Sequence, residues 1–409
     1  MKKILSTLIF SAVSLPCVFA VDLISKPHRY VELGLDAQVA AANSYWAAGD
    51  VLKKDLVIDL QKIAKEMPDD GFSIGFYNRE QAFLNVNAGS HFRLSFSGGI
   101  ESTGNFNISK DLFELLASGL SVDSTKTVDV TGYADVFADM NFSFQTLVND
   151  YAVKIMPTYY VPLVYVPKTT ATASISTTSG GAVHGEASAN VEIYTAANMH
   201  DFVEDNNTNF NISEIMSNGG FDLTLEVERN VLGGLNIGGY GRIPIVPGKL
   251  NYKMSTRVYA SFDETNVLGY LDESESHTTD HGHDDFTYSE ATYKAYRPLK
   301  LGLSANWTPL GQWLKISPAV GFAMRDPYSS ENRLTYFEYM LNIRLGIWKI
   351  LFFDLNSSYQ NQIFQQQAGV TFNFRVIEII AKASLASTNF VNSFDLSGAG
   401  AFVGFRIGF

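Results

Sequence analysis

The chain ends Ala401-Phe402-Val403-Gly404-Phe405-Arg406-Ile407-Gly408-Phe409, and the reading of that stretch decides the fold. Side chains on a strand alternate between its two faces, so Ala401, Val403, Phe405, Ile407 and Phe409 share one face and Phe402, Gly404, Arg406 and Gly408 the other. The first face is apolar up to the last residue. A soluble sheet hides such a face under a second layer and protects its edge. An apolar strand that stops on an aromatic at an open terminus predicts lipid as its cover instead.

The same inside-out pattern repeats upstream. Leu314, Ile316, Val320 and Phe322 share a face; Phe337, Tyr339, Leu341, Ile343 and Leu345 oppose Glu338, Asn342 and Arg344; Phe353 and Leu355 oppose Asp354 and Asn356; Val370 and Phe372 oppose Thr371 and Asn373; Ile377, Ile379, Ala381 and Ala383 oppose Glu378 and Lys382. The connections alternate in length, with 346–349 and 373–376 tight, and 325–333 and 388–395 longer and polar. Short turns at one end and long loops at the other are the signature of an antiparallel outer-membrane β-barrel. Counting back from a periplasmic C-terminus places 388–395, 358–363 and 325–333 outside, and 374–376, 346–349 and 308–312 in the periplasm. Trp307, Trp313 and Trp348 then fall at one membrane depth, as interfacial indoles do. Glu338, Arg344, Asp354, Lys382 and Arg406 fall on the lumen face.

Composition agrees. Charged residues are 18% and aromatics 13%, low and high respectively against soluble domains, and no apolar run after the first 20 residues is long enough for a spanning helix. The formal net charge is −12, which gives no footprint for nucleic acid. Residues 1–20 have the charged start (Lys2, Lys3), apolar run (Ile4 to Val13) and small-residue exit (Val18-Phe19-Ala20) of a secretory leader. The single cysteine, Cys17, lies within it, so residues 21–409 are expected to form one barrel domain without disulfides. At about 25 residues for each strand with its turn, the ~390 residues after the leader make about 14 strands, within a range of about 12 to 16.

Nearer the N-terminus, 30–41 alternates as a strand and the period then changes. From Asp50, the residues Leu52, Leu56, Leu60, Ile63 and Met67 recur at spacings of three and four until Pro68 and Gly71, which predicts an amphipathic helix within 46–70. A helix cannot lie in a barrel wall. Leu52, Leu56, Leu60 and Ile63 therefore belong either to a plug in the lumen, whose deletion opens the pore, or to a helix on the periplasmic rim. A shorter helix after Ser109 carries Leu112, Phe113, Leu115 and Leu116, and another helical turn carries Ile212, Ile215 and Met216. Apolar side chains outside the cell are candidates for binding hydrophobic cargo, or else cover the barrel mouth.

The sequence carries no Gly-x-Ser-x-Gly elbow, no His-Glu-x-x-His helix and no calcium loop, so neither an enzyme nor a cofactor is expected. The acidic loop 263–287 holds His277, His281 and His283; these are weak metal candidates, and a solvated loop is the plainer reading.

With the N-terminal helical segment, the external helices and hairpins such as Arg297-Pro-Leu-Lys-Leu-Gly-Leu-Ser-Ala-Asn-Trp-Thr-Pro-Leu-Gly-Gln-Trp-Leu-Lys-Ile, the chain resembles the FadL-like long-chain fatty-acid transporter family. The resemblance implies about 14 strands around an N-terminal plug, uptake of hydrophobic molecules from outside, and exit through a kink in the wall. The C-terminal strand likewise resembles those that the barrel-assembly machinery reads, with outer-membrane lipid as the surrounding partner. The chain departs from the family in lacking an Asn-Pro-Ala plug segment and in its charged lumen face. Passive transport of fatty-acid-like molecules is the expected function. A diffusion porin for polar solutes and a surface adhesin or structural barrel are the alternatives.

Overall fold

The computed structural model describes residues 22–24, 29–51, 58–88, 92–180, 182–200, 211–264, 278–311, 313–347 and 350–409. The expected leader lies outside them. Eighteen strands run in order: β1 (Val31–Asn43), β2 (Phe72–Ala88), β3 (Phe92–Ile108), β4 (Thr125–Val148), β5 (Tyr151–Thr177), β6 (Val183–Thr195), β7 (Gly220–Leu232), β8 (Leu235–Val246), β9 (Gly248–Glu264), β10 (Thr278–His283), β11 (Thr287–Ala295), β12 (Leu299–Trp307), β13 (Leu314–Arg325), β14 (Leu334–Ile347), β15 (Leu351–Gln360), β16 (Ile363–Asn373), β17 (Ile377–Ser387) and β18 (Gly398–Gly408).

Fourteen of them close a ring of antiparallel neighbours: β1 to β5, then β7, β8 and β12 to β18, with β18 returning to β1. The seam is continuous from Glu32 opposite Gly408 to Ala42 opposite Gly398. The burial pattern inverts that of a soluble protein. Leu33, Leu35, Phe96, Phe142, Leu303, Phe337, Leu355, Val403 and Phe405 are exposed, while Asp36, Arg79, Glu101, Asp139, Glu228, Glu338 and Asp354 are buried. A closed wall has no unpaired edge and can cross a bilayer when its outer side is apolar. This is an outer-membrane barrel, and the lumen charges expected from the alternation stand inside.

One end carries the C-terminus and short links such as Asn149-Asp150, Gly233-Gly234 and 374–376, and is therefore the periplasmic end. Trp307 and Trp313 are exposed beside the β12–β13 link there; Trp348 lies outside the described residues. Within the wall, the ring of Phe83 lies over its cross-strand partner Gly34, and that of Tyr240 over Gly302. A Cβ at either glycine would stand about 2.2 Å from a ring carbon, so only glycine lets the strands present both an aromatic and a close backbone there.

The other four strands stand outside the ring. Above the membrane β4 and β5 run on beyond their neighbours. Two bulges, opposite 132–134 and 136–137 of β4, kink β5, and its outer half pairs with β6, which pairs with β9, which carries β10 and β11 on its far side. The passage from β8 to β9 is Pro247 alone, and that from β11 to β12 is Tyr296-Arg297-Pro298. Each Pro removes a ladder donor, so two strands leave the wall and continue into an extracellular sheet without a true loop.

His184 on β6 hydrogen-bonds Asp263 on β9 across this sheet, and that contact, with the charge of Asp263, raises the imidazole pKa above its usual value. A raised histidine contributes stability that is complete below the unfolded value of about 6.5 and is lost as pH climbs through the folded one. Relative to trypsin's rate on a small peptide substrate at the same pH, cleavage of the β6–β9 region should therefore be faster at pH 9 than at pH 6. In His184→Ala the two relative rates should be equal.

Candidate functional site

Protein groups occupy the lumen at two levels, and the described part of the expected helix is at neither. The first is a charged layer at mid-barrel. Arg79 of β2 meets Glu101 of β3 at 2.7 Å and Asp139 of β4 at 3.2 Å. Arg297, in the link before β12, reaches Glu101 at 3.2 Å, Asp139 at 3.1 Å and Asp222 of β7 at 3.1 Å. All five side chains are buried. Nearby, Lys300 and Glu338 pair at 3.1 Å. Higher, Arg325 grips Asp135 with two nitrogens at 2.6 and 2.8 Å and lies between the rings of Tyr133 and Tyr165, 4.7 and 4.3 Å from their centroids. Tyr165 in turn stacks on Tyr293 of the extracellular sheet and donates to Asp326.

The second level is the segment Asp22-Leu23-Ile24. Glu228 of β7 accepts the backbone N–H groups of Leu23 and Ile24 at 2.6 and 2.8 Å, and Gln145 of β4 donates to the Leu23 carbonyl at 2.7 Å. Lys315 of β13 holds the Asp22 carboxylate. Leu23 packs among Ala152, Tyr240, Ala319 and Met340, which come from β5, β8, β13 and β14. These three residues therefore lie inside the lumen, in its periplasmic half. Beside them is a cavity of about 250 Å³, lined by Asn306, Asn342 and Arg344 together with Ile380 and Phe402. A second of about 250 Å³ opens toward the outside, lined by Asn105, Tyr133, Tyr359 and Gln362.

The sequence-predicted plug lies elsewhere. Leu52 and Leu56 are outside the described residues, and the helical part is a turn at Ala48–Val51 and α1 (Leu60–Glu66), capped by Asp59 accepting from the Lys62 N–H at 3.0 Å. Leu60 is exposed, and Ile63 is buried against Phe72 and against Phe113 of α2 (Lys110–Ser118). Phe72 and Ile108 share the strand face of lipid-facing Phe76 and Phe106. The helix pair thus sits on the outer side of the wall, at the extracellular rim and not the periplasmic one. Amphipathic spacing gives a helix a buried face but not the side of the wall that buries it.

Of the cargo candidates on α2, Phe113 is buried, Leu112 and Leu115 are half-buried and Leu116 is exposed. On α3 (Ile212–Ser217), Ile212 and Met216 are exposed and Ile215 packs beside Tyr160 and Leu250. The two sets do not form one groove, because α2 packs on α1 and β4 while α3 packs on β5. His277 lies outside the described residues; His281 and His283 stand on β10 opposite Ala260 and Val258. Among the described residues no group of His, Cys, Asp and Glu has the arrangement of a metal site. Register shifts occur at β4–β5 and at β7–β8, whereas β3 pairs without interruption on both sides.

Residue spacing gave no sign of Asp22, Leu23, Glu228, Arg297 or Lys315. Three residues are too short to show a period, and Arg297 lies in a proline-containing link that resembles any turn.

No family model and no curated protein matches the chain. Among solved structures it is similar to a Pseudomonas aeruginosa FadL homologue, at 9% identity and a TM-score of 0.47 over 98% of this chain and 100% of that one. It is also similar to the toluene transporter TbuX of Ralstonia pickettii, at 10% and 0.43 over 95% and 90%. A third is the translocator domain of the autotransporter NalP of Neisseria meningitidis, at 9% and 0.34 over 94% and 91%. These are similarities of barrel architecture alone.

Proposed function

We propose that the protein carries hydrophobic molecules passively across the outer membrane, through a barrel closed at rest by its own N-terminal segment. The observation that carries this reading is the seating of Leu23 in the lumen, its peptide groups taken up by Glu228 and Gln145. A general porin needs an open aqueous lumen; a segment so held, below a layer of buried ion pairs, excludes bulk solute until it moves. The α1–α2 pair supports an apolar cargo, because Leu60 and Leu116 are exposed on the outer side of the rim, where a molecule dissolved in the outer leaflet first meets the protein.

The test uses proteoliposomes. A BODIPY-labelled dodecanoate should cross faster than in protein-free vesicles, while L-arabinose should cause no osmotic swelling. Leu23→Asp, which sets a carboxylate beside Glu228 and Asp22, should free the segment and raise planar-bilayer conductance, whereas deletion of 60–66 should not. Porin-like swelling with arabinose, or no probe transfer, would overturn the reading.

A further inference from the structure

One cation of the periplasmic-side chamber takes its counter-charge from the N-terminal segment and not from the wall. Lys315, Arg344, Lys382 and Arg406 line it from β13, β14, β17 and β18. The wall supplies three carboxylates to them. Asp354 takes Arg344 at 2.7 Å and Lys382 at 3.9 Å; Glu378 and Asp36 take Arg406 at 2.9 and 3.5 Å. The fourth cation, Lys315, is paired with Asp22, which belongs to the N-terminal segment and not to the wall. Glu228 of β7 is engaged by Leu23, Ile24 and Asn306.

We infer that the chamber is a binding site for a small amphipathic monoanion, and that the Asp22 carboxylate occupies the place of the ligand's anionic group. Withdrawal of Asp22 removes the carboxylate that Lys315 holds, and a negative charge supplied by a ligand is favoured in its place. Asn342, Asn356 and Gln367 offer amide donors around it, and the Arg406 Nε is buried without an acceptor among the described residues. Met340, Ile380 and Phe402 supply an apolar surface for the rest of the ligand. The volume of about 250 Å³, near the roughly 300 Å³ at which pockets begin to take drug-sized ligands, accommodates an aromatic or short aliphatic acid.

This goes beyond the transport reading and does not rest on it. The full-length protein in detergent is titrated calorimetrically with benzoate, and with benzamide as the neutral isostere. Asp22→Asn removes the internal competitor and should tighten benzoate binding about tenfold, equivalent to about 1.4 kcal/mol. Lys315→Gln should weaken it about tenfold or more, and benzamide should respond to neither change. Heat-modifiable migration of each variant reports that the barrel has formed. Equal affinities for benzoate and benzamide, or no benzoate binding in folded Asp22→Asn, would overturn the proposal. Failure of dodecanoate transfer with benzoate binding intact would instead remove the transport reading and leave the chamber standing.

Discussion

Arg297→Ala is expected to destabilise the barrel by at least about 3–5 kcal/mol, the usual consequence of removing one partner from a buried ion pair. Here three carboxylates share the cation. Arg79 would still serve Glu101 and Asp139, but Asp222, fully buried, takes its ion pair from Arg297. A desolvated carboxylate without a counter-charge is among the most costly groups a protein can hold. Arg297→Lys should recover part of the loss, because it keeps the charge and loses the fork that reaches two strands at once. Arg297→Ala combined with Asp222→Asn should cost less than the sum of the two, since the second change removes the orphan left by the first. Urea unfolding of the folded barrel measures all four. A midpoint for Arg297→Ala equivalent to within about 1 kcal/mol of wild type, near the centre of ordinary single-site effects, would mean that the layer does not hold the wall together.

Arg325→Ala should have a comparable effect by a different route. The guanidinium both pairs bidentately with Asp135 and lies between two tyrosine rings. Its removal exposes Asp135 to the same penalty of about 3–5 kcal/mol and forfeits stacking worth about 0.5–2 kcal/mol per ring. Because Tyr165 continues to Tyr293 and Tyr194 in the extracellular sheet, the loss should also loosen that sheet. Limited proteolysis should then cleave β9–β11 before the barrel itself unfolds. Tyr165→Phe, which removes only the hydroxyl donated to Asp326, should cost about 1 kcal/mol and leave the cleavage order unchanged. If Arg325→Ala lowers the unfolding midpoint without early cleavage, the arginine supports the wall alone.

What could be read from the sequence follows from how each part is buried. The wall from β13 to β18 was legible because lipid on one side and a polar lumen on the other force a strict period of two, from Leu314 to the end of the chain. The extracellular sheet was harder to place. Its strands are rich in Ala, Ser and Thr, as in Gly185-Glu-Ala-Ser-Ala-Asn190, and water wets both faces, so alternation marks a strand without saying whether it belongs to the wall. Pro247, whose surroundings in the sequence fit either a turn or an inward loop, is a point where one strand passes from wall to sheet. Amphipathic spacing located a helix correctly at Ile63 but could not give its side of the wall. The lumen charges at Glu338, Arg344, Asp354, Lys382 and Arg406 were legible one strand at a time; the ion-pair layer was not, because it joins residues as far apart in sequence as Arg79 and Arg297.

The seam that joins β1 to β18 has a kinetic meaning. Its partners, from Glu32 with Gly408 to Ala42 with Gly398, lie more than 350 residues apart, and contacts of such high sequence separation form slowly because loop-closure entropy must be met before they reward it. No nascent chain can therefore seal this wall before β18 has been made. Until then the intermediate has two open strand edges, and whatever escorts it must shield both of them at once.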